Sequence, residues 1–216
     1  MPLDKKTVVA AVKEAKEKSG GKKFNQTVDL ILNIVEIDMK APEGKITEVV
    51  ELPHATGKPN KIVVVASGEL AMKARHANAD KVIERGELEG LAGKKKDLRK
   101  LASDYDVFVS EAPMMAMVGR TLGPVLGPRG KMPIPVPPTA DIVALLAKHR
   151  NTVIVRMRNQ PIIQVSVGAE SMSEDELWDN IQAVLRVLEG KLKRGLKNIK
   201  LAYIKTSMGT PVKIKP

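Results

Sequence analysis

The chain has 216 residues, with 36 Lys and Arg against 25 Asp and Glu, a net charge of +11, 43% hydrophobic residues and no Cys. That apolar fraction excludes a disordered chain, and the lack of thiols excludes disulfides, thiolate nucleophiles, thiol redox chemistry and Cys-type zinc sites. With one Trp, two Tyr and two Phe the core must be aliphatic, and the excess of cations favours a polyanionic partner whose condensed counterions they would release.

The first residues, Met1-Pro2-Leu3-Asp4-Lys5-Lys6, lack the apolar run of a secretory signal. No stretch reaches the roughly 18 to 20 apolar residues of a membrane span, so the expected location is the cytoplasm, with no membrane partner. Residues 4–19 read as an amphipathic helix: Asp4 is placed to cap it, Val8, Val12 and Ala15 share a face, and Gly20-Gly21 ends it. From Thr27 to Ile37 the residues Val28, Leu30, Leu32 and Ile34 repeat with period two, and Ile46 to Leu52 alternates more weakly after the turn Pro42-Glu43-Gly44. Both read as antiparallel, half-buried strands.

At Ile62 the texture changes. Ile62-Val63-Val64-Val65-Ala66 is a continuous apolar run, as expected of a strand covered on both faces. A helix over 69–77, a strand at 81–83, a basic helical stretch over 91–101 and a strand at 107–109 follow, then helices at 114–119 and 139–148 and a closing strand at 153–155. This alternation predicts a parallel α/β sheet with helices on both faces. After Arg158 the antiparallel style returns, with a strand from Ile162 to Val165, a long helix and a strand from Ile199 to Ile204. Ser173 and Glu176 form a capping-box pair on that helix, and Leu177, Ile181, Leu185, Leu188 and Leu192 make its apolar stripe. Residues 64–158 therefore read as one domain inserted into another made of 1–63 and 159–216, with two chain crossings as a hinge. The split segments carry 20 basic and 15 acidic side chains and the insert 16 and 10, so charge does not select the binding domain. The densest run, Lys94-Lys95-Lys96 with Arg99 and Lys100, reads as a solvated helix face and at most a secondary contact.

Between Gly119 and Pro138 lie six of the 14 prolines, interleaved with glycines. The segment predicts a stiff, non-helical surface loop, serving either as a crossover or as a rigid frame presenting Arg129 and Lys131 to an anion. Gly130-Lys131 is not a nucleotide-binding P-loop, because Val125 stands where its first Gly belongs and Met132 where a hydroxyl must hold magnesium. No G-x-G-x-x-G follows a strand. His54, His76 and His149 lack metal-ligand spacing, and Ser67, Ser110 and Ser207 lack a nucleophile elbow, so neither a metal, a cofactor nor catalysis is indicated. Few aromatics are free to stack on unpaired bases, which favours a structured RNA or a duplex read by shape and backbone. Two segments suit such a contact: Lys22-Lys23-Phe24-Asn25-Gln26-Thr27, and Lys205-Thr206-Ser207-Met208-Gly209-Thr210-Pro211, whose Gly allows close backbone approach.

The segment Leu122-Gly123-Pro124-Val125-Leu126-Gly127-Pro128-Arg129-Gly130-Lys131-Met132-Pro133, together with Lys23-Phe24 and Thr27, Leu52-Pro53-His54 with Gly57-Lys58, Asp179-Asn180-Ile181 and Thr206-Ser207-Met208-Gly209, resembles the lateral-stalk family of large-subunit ribosomal proteins called L-one. The resemblance covers nearly the whole chain, and Lys131-Met132-Pro133-Ile134-Pro135 looks like its archaeal form. It implies a split α/β, sandwich-like α+β domain from both ends of the chain and an inserted, Rossmann-like three-layer α/β domain. It further implies a cytoplasmic, ribosomal protein, monomeric when free and not an enzyme. Such a protein binds the rRNA of the lateral stalk, helps deacylated tRNA leave the exit site, and represses its own mRNA through an operator of similar fold. On the resemblance the RNA contact falls on Lys23, Phe24, Thr27, Thr206, Ser207, Met208 and Gly209, with Arg129, Lys131 and Gln164 as secondary contacts. Two rivals predict otherwise. A metabolic enzyme would use the α/β insert for a nucleotide-like ligand, and a non-specific DNA-coating protein would be indifferent to RNA fold.

Overall fold

The computed structural model describes residues 4–20, 22–37, 46–157 and 160–214, so the turn expected at 42–44, the second glycine of Gly20-Gly21 and the expected boundary at 158/159 lie outside the described residues. The chain forms two compact units, one of Met1–Pro59 with Asn151–Pro216 and one of Asn60–Arg150.

In the first unit, α1 (Lys5–Glu17) precedes β1 (Thr27–Ile34), β2 (Thr47–Glu51), β7 (Thr152–Arg156), β8 (Ile162–Ala169), α8 (Glu174–Lys191), β9 (Ile199–Thr206) and β10 (Val212–Ile214). Four strands make an antiparallel sheet in the order β10-β9-β1-β8. Its period-two alternation sends Val28, Leu30, Leu32 and Ile34 inward, where they meet Val8, Val12 and Ala15 of α1 and Leu177, Ile181, Leu185 and Leu188 of α8 in one core. Strand β1 stops at Ile34, short of the expected Ile37, and Glu36 takes a positive φ of 61° just beyond it. The capping box forms as the sequence predicts: Glu176 N–H donates to Ser173 Oγ at 3.3 Å, and Ser173 N–H donates to the Glu176 carboxylate at 2.8 Å. Asp4 departs from expectation. Its carboxylate makes no capping bond, and Thr7 Oγ1 instead donates to the Asp4 carbonyl at 2.9 Å.

Residues 153–155 belong to this unit as well, contrary to the expectation that they close the insert: β7 pairs antiparallel with β2, Val49 opposite Ile154. A run of three apolar residues does not tell a strand covered on both faces from one covered on one, and here Val155 is buried while Ile154 is 37% exposed. The chain accordingly crosses between units at 59/60 and 150/151, not at 63/64 and 158/159.

The second unit contains β3 (Ile62–Val65), α2 (Gly68–His76), β4 (Lys81–Ile83), α3 (Arg85–Leu91), α4 (Lys95–Asp104), β5 (Val107–Glu111), α5 (Met115–Thr121), α6 (Gly123–Arg129), β6 (Ile134–Val136) and α7 (Ile142–Arg150). Its parallel sheet runs β4-β3-β5-β6. Alternate residues of β3 feed two separate cores: Val63 and Val65 meet α3 to α6, whereas Ile62 and Val64 meet α2 and α7. This three-layer arrangement is why β3 reads as an unbroken apolar run. The basic stretch expected as helix over 91–101 is helical from Lys95 on, in α4, and Gly93 at φ 83° parts it from α3, which ends at Leu91.

The Pro/Gly segment is the main correction. It is not a loop: residues 123–129 form the short helix α6. Pro124 lies in the first turn, where its missing N–H has no intrahelical acceptor to lose, and Pro128 comes so near the end that it forfeits one bond. Leu122 and Leu126, one turn apart and fully buried, anchor the helix. Gly130 at φ 71° then reverses the chain, its N–H donating to Gly127 O at 3.0 Å and that of Lys131 to Leu126 O at 3.1 Å. Pro135 follows in β6, an edge strand that tolerates a missing donor.

Candidate nucleic-acid interface

Strands β1 and β9 are antiparallel neighbours with Val28 opposite Thr206, so residues 23–27 and 206–209 meet at one end of the sheet. Ser207 N–H donates to Thr27 O at 3.0 Å, and Thr27 N–H donates to Ser207 Oγ at 3.2 Å. The fully buried Gln26 ties the two loops together: its amide oxygen accepts from Met208 N–H at 2.9 Å, its amide nitrogen donates to Ser19 O at 3.3 Å, and its carbonyl accepts from Glu170 N–H at 2.7 Å. Nothing in the sequence distinguishes Gln26 from an ordinary polar loop residue.

On this frame Phe24 and Met208 stand 54% and 66% exposed, and Lys23 and Ser207 are also exposed. Thr27 and Gly209 are half-exposed. Thr206, which the resemblance places in the RNA contact, does not present its side chain at the surface. The alternation that turns Ala202 and Ile204 inward turns Thr206 inward too; the residue is fully buried, and its Oγ1 has no hydrogen-bond partner among the described residues. Gly209 N–H donates to Thr206 O at 3.2 Å, and a Cβ on Gly209 would come within 2.2 Å of Thr206 Oγ1. A side chain at 209 therefore cannot be added without moving Thr206 Oγ1 or the turn.

Two neighbouring loops are locked against this end. Asn25 and Ser171 exchange hydrogen bonds at 2.9 and 3.3 Å, while Gly57, at φ 80°, packs where a Cβ would lie 2.9 Å from that of Ala169. The buried Asn180 holds the 52–58 loop by donating to His54 O at 3.1 Å and Val167 O at 2.8 Å and accepting from His54 N–H at 2.9 Å. Its place in the Asp179-Asn180-Ile181 motif is the one sequence signal for that role.

The secondary candidates are not part of this cluster. Gln164 lies on the edge strand β8 opposite Ile31 and hydrogen-bonds Asp29, whose carboxyl is raised above the usual aspartate range by burial, against the opposing pull of Gln164 and of Lys205. Lys131 and Arg129 belong to the other unit. Lys131 Nζ donates to the carbonyls of Ala102 and Tyr105 at 3.2 and 2.6 Å and pairs with Asp106 at 3.5 Å, so it satisfies the end of α4 instead of facing an outside anion. Arg129 donates to Ser103 Oγ at 2.8 Å.

A nucleotide-like ligand of the parallel sheet would sit beyond the carboxyl ends of β3 and β5, where the strand order reverses. Glu111, at the end of β5, fills that place, accepting from Ser67 N–H at 2.9 Å and Ser67 Oγ at 2.8 Å at the start of α2. A phosphate would have to displace this carboxylate. Among the described residues no group of His, Asp and Glu could hold a metal ion, and no helix is long and apolar enough to cross a membrane.

Residues 8–210 match the family described as Ribosomal protein L1p/L10e. The large ribosomal subunit protein uL1 of Methanothermobacter thermautotrophicus is 47% identical over 207 residues, 96% of this chain and 98% of that protein. The uL1 protein of Pyrococcus abyssi is 44% identical over 216 residues, covering 100% and 98% of the two chains. That of Hyperthermus butylicus is 46% identical over 213 residues, covering 99% and 98%.

Proposed function

We propose a function from one premise: the chain belongs to the ribosomal protein L1p/L10e family, and it is a large-subunit ribosomal protein, not an enzyme. Its split unit binds a structured segment of the lateral-stalk rRNA through the loops at 23–27 and 206–209. Arg129, Lys131 and Gln164 have at most an indirect part. The observation that carries this reading is the pairing of exposed Lys23, Phe24, Ser207 and Met208 with a hydrogen-bonded frame that holds them in place before RNA arrives. A preformed surface loses little conformational entropy on binding and can read a folded RNA by shape, with Lys23 for phosphate, hydroxyls for ribose and apolar tips for close contact.

On the ribosome this protein forms the mobile stalk that releases deacylated tRNA from the exit site. Free, as a monomer, it represses its own mRNA by binding an operator that imitates the rRNA fold. The deciding measurement is a binding titration with a stalk rRNA fragment, the same nucleotides in a scrambled fold, and an unrelated DNA duplex as competitor. Tight binding to the native fold alone is expected. Equal affinity for all three would overturn the reading in favour of a non-specific coating protein.

A further inference from the structure

The second unit carries a concave site that the RNA surface does not use. Helices α4, α5 and α6 enclose a cavity of about 510 Å³ lined by Lys95, Leu98, Arg99, Arg120, Val125 and Arg129, with Pro124 and Pro128 as stiff walls. Four cations of this unit that lie off the cavity face carboxylates: Lys73 meets Glu69, Arg75 meets Glu84, Lys81 meets Glu87 and Arg85 meets Glu89. Lys95, Arg99 and Arg120 have no such partner among the described residues, and no Asp or Glu lines the cavity. Three uncompensated cations around one hollow repel one another, so an anion seated among them gains attraction and removes that repulsion.

The floor decides which kind of anion. It is aliphatic, from Leu98, Val125 and the two prolines, and has no aromatic ring and no Asn, Gln or acidic group. A structured RNA read by its backbone would offer phosphate and ribose to the cations, and neither of these polar groups fills an aliphatic floor. An aliphatic hollow instead takes a Leu, Ile or Phe side chain, and proline walls accept it with little ordering cost.

We infer that the α4–α6 cavity is a docking site for an acidic peptide segment of a protein partner, in which one apolar side chain enters the hollow and flanking carboxylates meet Lys95, Arg99 and Arg120. This site is separate from the RNA surface on the split unit, so a failure of either reading leaves the other standing.

The test is fluorescence anisotropy of the full chain with a labelled acidic octapeptide bearing a central Leu-Phe pair. A second peptide has Ser-Ser at the centre, and a short oligouridylate supplies phosphates without the apolar anchor. The octapeptide should bind with an affinity that falls as salt rises. Exchanging its Leu-Phe pair for Ser-Ser should weaken it about fivefold or more. The exposed-site variant Arg99→Glu/Arg120→Glu should weaken it about tenfold or more while keeping the thermal midpoint and the affinity for stalk RNA. Binding indifferent to the central pair, binding unchanged in the double variant, or displacement by oligouridylate at equal concentration would each overturn the inference. So would no response up to about 1 mM protein, the weak limit of specific association.

Discussion

A methyl group added at Gly209 would sit 2.2 Å from Thr206 Oγ1, inside any tolerated contact, so Gly209→Ala must displace either the buried Thr206 side chain or the turn. We expect that variant to lose about 1 to 3 kcal/mol of stability, the usual range for overpacking. Thr206→Ala removes the obstructing oxygen, so the double variant Gly209→Ala/Thr206→Ala should recover most of the loss in urea denaturation; additive losses would show that the clash is not the cause. Met208, exposed and held at its backbone by Gln26, is the opposite case. Met208→Asp should leave the thermal midpoint unchanged and weaken stalk RNA binding by about 2 kcal/mol, because it sets an unpaired anion into a close contact with a polyanion. Intact affinity would mean that this turn is only a turn. Lys23→Ala should shallow the salt dependence of binding by roughly one unit of log–log slope if the ammonium neutralises one phosphate.

At the scale of elements, the sheet of the first unit has an aliphatic face under α1 and α8 and a polar face on which Asp29 lies between Lys205 on β9 and Ser166 on β8. Burial raises the Asp29 carboxyl above the usual aspartate range, more than Gln164 and Lys205 lower it. A raised carboxyl favours the folded state most in acid, and that contribution is lost as pH climbs from the ordinary aspartate value through the raised one. Asp29→Asn should therefore be more stable than the parent at neutral pH, with the gap closing below the usual aspartate range. Denaturation at a series of pH values checks this, and a gap that widens in acid would contradict it. Much at this scale was legible beforehand. The alternation of β1, the stripe and capping box of α8 and the apolar run of β3 are local patterns, each written in neighbouring residues. What could not be read were partnerships: β7 looked like a strand of the insert because its mate β2 lies about a hundred residues away. Helix α6 was hidden because proline breaks a helix only at certain positions. Gln26 and Asn180 look like any loop or helix amide until burial shows what they hold.

For the whole molecule, each unit has cores of its own, and every residue of the proposed primary contact lies in the split unit. Joining residues 59 and 151 through a short linker should give a chain that unfolds in one transition and keeps stalk RNA affinity within a few-fold. A folded product that has lost specificity would place part of the recognition on the insert. The same discontinuity has a consequence in time. Strand β1 is flanked by β9 and β8, and its Val28 waits for Thr206 before it can pair. At a synthesis rate of about 5 to 20 residues per second, that wait lasts on the order of ten seconds or more. Meanwhile all the residues of the second unit, which needs no later segment, have left the ribosome. The chain order thus lets the insert fold on the nascent chain before the aliphatic face of β1 has its β9 and β8 partners. The surface proposed to read RNA, assembled from both flanks, cannot form before the segment around Thr206 has followed the insert.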